Sequence, residues 1–340
     1  RLPVSECLCR SMSDGSASES GEEEGQDGRM SLLGILSRNP VDDIQKLLES
    51  ETFAPDGESF WVDKPDVACI AVATAMAFAR PDVMRYLLTD EACCAEVNSF
   101  LNFPSFSLFH ERTPLGVAMN TKNADCKQQE WLECVWLLVE AGADVDAAAF
   151  CGEDEEDEDE EDDYVDQGDV PLEAAVENGL LIGAQVLRAM GATIPSYWPP
   201  LADLSRDEEP GAYDVFEFVH RSADWSPLHF LKWLPTWRTL ELLRGDADIH
   251  ERVTGVGTPL EVAQQLSAKH ASAALVIQAA SPWSPQTHHL WSKVARKHAV
   301  GVLLIGHLFA ESAFALRDVQ AIKDLWPIFV MPHAMSRASD

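Results

Sequence analysis

The sequence predicts an all-α fold, an array of stacked helix–turn–helix units closed by a C-terminal helix. Three observations carry that prediction. First, a polar turn, a Pro-Leu pair and apolar residues at helical spacing recur in RTPLGVAMNTKNA from Arg112, DVPLEAAVENGL from Asp169, WSPLHFLKWLP from Trp225 and GTPLEVAQQLSA from Gly257. Proline suits the first turn of a helix because its missing N–H would find no partner there. Second, three of these starts are followed by another apolar helical stretch with a short close: VWLLVEAGADVDA (135–147), AQVLRAMGATI (184–194) and LELLRGDADIH (240–250). Third, the chain is 46% hydrophobic, yet its longest apolar runs, 68–79 and 299–310, hold twelve residues each. Runs of that length are too short to span a bilayer and suit buried helices.

Along the chain, residues 1–28 are rich in Ser, Gly and Glu without periodicity and read as a disordered tail. Ser16 and Ser20 in that tail each have a Glu three residues on, a setting acidophilic kinases accept. The chain starts at Arg1 without Met, which suggests a fragment or a processed product, and no secretory signal follows. Residues 29–280 form the array, about six units long. SLLGILSRNPVDDIQKLLES (31–50) and CIAVATAMAFARPDVMRYLLTD (69–90) fit the two-helix pattern without the Thr-Pro-Leu start.

Spacing locates the insertions. Pro227 and Pro259 lie 32 residues apart, one bare unit, whereas Pro114 to Pro171 is 57 and Pro171 to Pro227 is 56. The excess falls at 120–130, between two helices of one unit; at 148–167, between units; and at 195–221, where a further helix is expected around Tyr213–His220. Residues 281–340 form a helical cap and tail. Trp291, Val294, Ala295, His298, Val302 and Ile305 recur there at helical spacing, which predicts the face that seals the last unit.

These residues carry a resemblance. SPLHF (226–230), TPLGVA (113–118), TPLEVA (258–263) and EAGADVDA (140–147) resemble the ankyrin repeat family, whose unit is about 33 residues with a T-P-L-H-x-A start. Four units match well and two are degenerate. The resemblance implies an ankyrin repeat solenoid with a concave face and a row of finger loops, and a structural His229 that ties neighbouring turns together.

Charge bounds the partners. The net charge is −32, and removing the eleven consecutive acidic residues 153–163 still leaves −21. Such a surface disfavours nucleic acid and anionic lipid and favours a basic protein segment. None of the eight cysteines forms a CxxC pair and none follows Cys151, which fits small buried hydrophobes in a reduced intracellular protein, cytoplasmic or nuclear. His288, His289, His298 and His307 lack the three- or four-residue spacing of a helical metal pair, so packing or capping roles are expected. The sequence holds no GxSxG and no Gly-rich phosphate loop. Neither a metal, a cofactor nor catalysis is expected, and about 60 residues outside the array are too few for a usual catalytic domain.

The resemblance implies a protein-binding scaffold, expected to be monomeric. Six residues after each turn proline stand Asn120, Glu177, Trp233 and Gln265, on the stretch such stacks turn to the concave side. These are candidate contacts, with the finger residues His250, Glu251 and Arg252 and the acidic residues Glu155, Asp157 and Asp159. Trp233 and Trp237 have two readings, a concave anchor or a cover over the 195–221 insertion. The acidic run likewise reads as a docking finger or as a solubilising loop. A rival function is a substrate adaptor of a ubiquitin ligase, but the elongin-binding box of such adaptors needs a C-terminal cysteine, which this sequence lacks.

Overall fold

The computed structural model describes residues 41, 64–89, 101–102, 113–120, 124, 127–148, 170–199, 210–266, 270–312 and 319–335. The tail 1–28 with Ser16 and Ser20, most of the expected unit 31–50, and the acidic run with Glu155, Asp157 and Asp159 lie outside them. The described residues are all-α, without a strand. None of their helices is long and apolar enough to cross a membrane.

Helices come in consecutive antiparallel pairs. The first pair is α1 (Lys64–Ala77) with α2 (Pro81–Thr89), and the second is α3 (Pro114–Asn120) with α4 (Gln128–Glu140). The third is α5 (Pro171–Glu177) with α6 (Leu181–Met190). An additional helix, α7 (Pro210–Arg221), sits where a helix was expected around Tyr213–His220. After a 3₁₀ turn at Pro227–Phe230 come α8 (Thr236–Arg244) and the pair α9 (Pro259–Leu266) with α10 (Ala271–Ala279). The chain closes with α11 (Lys293–Ser312), α12 (Val319–Phe329) and the short α13 (Met331–Ala334).

Local chemistry sets the helix starts. Thr113 Oγ1 accepts the Gly116 N–H at 3.1 Å. Thr258 Oγ1 accepts the Glu261 N–H at 3.1 Å while Glu261 Oε2 accepts the Thr258 N–H at 3.0 Å, a reciprocal capping box. At the Trp225 start, His229 replaces the glutamate, and its Nδ1 accepts the Ser226 N–H at 3.2 Å. His229 is buried and structural, but the bond it makes there lies within its own turn. This start yields only a 3₁₀ turn because Pro235 disfavours the helical conformation at Leu234 and stops further winding.

The helix ends repeat as well. Gly142 and Gly191 take φ of +102° and +104°, and each N–H returns to the carbonyl three residues back, Val139 and Arg188. The next residues, Ala143 and Ala192, bond Leu138 and Leu187 in the same way. The third close carries Asp246 at φ +61°, with the same two bonds to Leu243 and Leu242. Neighbouring units are then laced together by a recurring contact. Asn102 Oδ1 accepts the Asp144 N–H at 2.6 Å, and Asp146 Oδ1 accepts the Thr193 N–H at 2.9 Å. Asp144 and Thr193 each stand two residues after the left-handed glycine, so one bond is made twice, one unit apart.

Packing follows from this repetition. α1 packs on α3, α3 on α5 and α5 on α7. Residues Ala71 to Met76 are buried without a break, so α1 is enclosed on all sides there. α7, from the 195–221 insertion, is therefore part of the stack. α7 rests on both α5 and α6 and supplies buried Val215, Phe216 and Val219, while the 3₁₀ turn packs on α6 and α9. Two apolar cores result, one from Ala71 to Val219 and one from Ala189 to Met335. Phe218 and Trp233 are half-buried and touch both.

The inward face of the cap is only partly the expected one. α11 is helical as predicted, Trp291 is buried and Ala295 and Val302 pack on the second core, but Val294 and Ile305 are 77% and 60% exposed and His298 is exposed. Ala299, Gly306 and Ala310 complete the inward face. The cause is the indole of Trp326 on α12, which lies so close that a Cβ on Gly306 would meet it at 2.6 Å. A small-residue stripe admits that approach, and Trp326 Nε1 reaches the Val302 carbonyl at 3.1 Å.

Left-handed backbone strains a residue carrying a Cβ by about 1–2 kcal/mol. Gly191→Ala should therefore destabilise the protein by about that amount, whereas Asp246→Gly should be neutral or stabilising by a few tenths of a kcal/mol. Urea midpoints of the two variants check the opposite signs.

Candidate interaction groove

The described residues enclose a groove of about 520 Å³ where α4 approaches the starts of α8 and α10. Its walls include Trp136 and Trp237, the charged Arg85, Glu133 and Glu140, and His270. Each side chain has a structural reason to be there. α4 carries Trp131 and Trp136 five residues apart, which at 100° per residue puts them on different faces. Trp131 is fully buried, its Nε1 bonded to the Ala118 carbonyl at 3.2 Å, so Trp136 is left half-exposed on the groove side.

The Trp136 Nε1 donates to the Trp233 carbonyl at 3.1 Å, across 97 residues of sequence. This bond fixes the distance between α4 and the 233–237 turn, and thereby the width of the groove. Ser272 Oγ donates to the Leu234 carbonyl at 2.7 Å, and Thr239 Oγ1 to the Pro235 carbonyl at 3.1 Å, so the turn is held from three sides. Arg85 on α2 pairs with Glu133 on α4 at the rim. Glu140 is exposed nearby, and the groove so combines two indole side chains with a surplus of carboxylate.

Cys134 also sits on α4 but is enclosed in the core, 0% exposed. Burial, reinforced by the charge of Asp82, pushes its thiol up to about 12. It has the small buried hydrophobe role expected from the sequence. At pH 8.5 a thiol of that acidity holds well under about 1% thiolate. Cys134 should resist iodoacetamide in the native protein and label fully in urea, as peptide mapping by mass spectrometry would read.

The four concave candidates are not gathered into one site. Glu177 and Gln265 are exposed on α5 and α9, and the side chain of Asn120 lies outside the described residues. Trp233 is half-buried between the two cores, with Lys232 Nζ 4.4 Å from its ring centroid, so packing occupies much of the ring. Trp237 lines the groove.

The finger candidates are exposed together at 250–252. Arg252 pairs with Glu261 at 2.6 Å, tying the fingertip to the capping box of α9. His250 borders a second cavity of about 520 Å³ between this finger and the cap, with Asp248, Trp291, Ala295 and His298. Of the cap histidines, His288 accepts the Trp283 indole N–H at 3.3 Å, and burial holds it below the usual histidine range. His307 pairs with Glu311 at 2.9 Å.

Sequence reading missed Trp136, Arg85, Glu133 and His270 as groove residues. For Trp136 a signal existed, since two tryptophans on different faces of one short helix cannot both enter the same core. Arg85 and His270 had none, because only the tertiary approach of α4 to α10 unites them.

No family model matches the chain, and neither a curated protein nor a solved structure matches it.

Proposed function

We propose that the chain is an ankyrin-type repeat scaffold without catalytic activity, and that it holds a basic protein segment in the Trp136–Trp237 groove. The repeat reading is supported by the two equivalent finger bonds, Asn102 to Asp144 and Asp146 to Thr193, each set two residues past a left-handed glycine. Such a stack presents loops and grooves on a rigid support, and its work is holding a partner.

One observation carries the basic-partner reading. Two tryptophans line a groove in which Glu133 and Glu140 outnumber Arg85. An indole face attracts Lys or Arg cations, a neighbouring carboxylate accepts their N–H groups, and tryptophan is favoured at binding hot spots. The −32 net charge raises the encounter rate with a cationic segment, with strong dependence on salt. The acidic run 153–163 serves in this reading as an electrostatic lure.

Fluorescence polarisation with a panel of Lys/Arg-rich and acidic peptides tests the proposal. Basic peptides should bind, and Trp237→Ala should weaken them by about tenfold or more. Deleting 153–163 should lower the association rate and flatten the salt dependence while leaving dissociation nearly unchanged. Failure of every basic peptide, or binding indifferent to Trp237→Ala, would overturn the groove assignment.

A further inference from the structure

The outward face of the cap is apolar although it covers no core. Among the described residues, eleven large hydrophobics are exposed, and nine of them lie on α11 and α12. On α11, Val300, Leu304, Ile305, Leu308 and Phe309 are each between 55% and 60% exposed. Leu325, Ile328 and Phe329 continue the face on α12, and Phe309 bridges to it at 6.2 Å from the Trp326 ring. The inward face of α11 is also apolar, built on Ala299, Gly306 and Ala310. Residues 299–306 carry no polar side chain on either face of the helix, and a contiguous exposed apolar patch marks an interaction surface.

We propose that a second copy of this chain covers it, the two α11 helices packing antiparallel about a two-fold axis at Leu304. The charge order along the helix points to this occupant. At 100° per residue, Lys297, Val300, Leu304, Leu308 and Glu311 share one stripe, and Lys297 and Glu311 stand seven residues before and after Leu304. Antiparallel pairing about Leu304 sets Leu304 on its own counterpart, Val300 on Leu308, and Lys297 on Glu311 at both ends. A two-fold interface has to be self-complementary in this way. Both ionic side chains are exposed, and Glu311 is steadied by His307 and, at 3.8 Å, by Lys323.

Long-range charge agrees. Two copies of a chain at −32 repel, but residues 281–340 hold six Lys/Arg against four Asp/Glu, so the cap is where copies can meet. Lipid is disfavoured, because a membrane surface asks for a polar outer face and has no use for a carboxylate seven residues past the centre of the stripe. The dimer replaces the monomer expected from the sequence, and it is independent of the groove, which lies on other helices.

Sedimentation equilibrium of the 340-residue chain in the micromolar range tests the proposal. The unaltered chain should be a dimer, and Leu304→Asp should weaken it at least about a hundredfold, because two carboxylates then meet on the axis. Lys297→Glu and Glu311→Lys should each weaken it by about tenfold. An equimolar mixture of those two variants should restore dimers, since each places Glu against Lys across the interface. Circular dichroism confirms that the variants stay folded, and the mixing arm keeps the test valid if Leu304→Asp does not. A monomeric unaltered chain overturns the proposal, including one that instead binds anionic vesicles. So does a dimer unmoved by Leu304→Asp, or a mixture that fails to recover.

Discussion

The structure depends on one buried cation. Arg188 on α6 is 9% exposed and reaches three backbone carbonyls: Ala192 at the end of its own helix, and Ser222 and Ala223 at 2.9 and 3.1 Å just past the end of α7. Those carbonyls belong to helix C-termini, where partial negative charge accumulates, so the guanidinium is solvated by two helix ends in place of water. Burial lowers its proton affinity and the carboxylate of Asp146 opposes that shift, which keeps the group cationic. Asp146 meanwhile holds the Thr193 N–H, and Arg238 donates to the Met190 carbonyl at 3.1 Å. The six residues from Arg188 to Thr193 thus bind α7, α8 and the preceding finger at once. The two cores interleave at this stretch, since Leu187 and Ala192 belong to the first and Ala189 to the second.

That joint explains the groove. With α6 and α7 locked, the 3₁₀ turn and α8 are carried round until the Trp233 carbonyl meets Trp136 of α4. A plain one-dimensional array lets each unit touch only its neighbours. Here α4 contacts a unit two further along, and the gap left between them is the Trp136–Trp237 groove. The groove thus comes from the contact of α4 with the Trp233 turn, beyond α7 in the sequence.

Much of the helix pairing was legible in the sequence because it rests on local chemistry. The Thr113 and Thr258 starts and the Gly142 and Gly191 closes are set by residues three to five positions apart. The role of Trp233 was not legible, since whether a half-apolar ring faces solvent or a second core depends on α7, encoded some twenty residues earlier. The cap shows the same limit. Periodicity identified α11 as a helix, but both its faces are apolar, and Trp326 decided which one turned inward by seating on Gly306. Sequence pattern therefore located the elements, and long-range contacts by single aromatic or charged side chains decided their faces.

Arg188 is the link through which the two cores should unfold as one. Urea unfolding of Arg188→Ala, followed by circular dichroism and by tryptophan fluorescence, tests it most directly. Removing the side chain takes the arginine donor from the Ala192 and Ala223 carbonyls and one of two donors from the Ser222 carbonyl, a loss of about 2–4 kcal/mol. The two probes, coincident in the unaltered protein, should separate into two transitions, with the core holding α8–α13 melting apart from the core holding α1–α7. A single transition with both probes still coincident and the midpoint unmoved would contradict it.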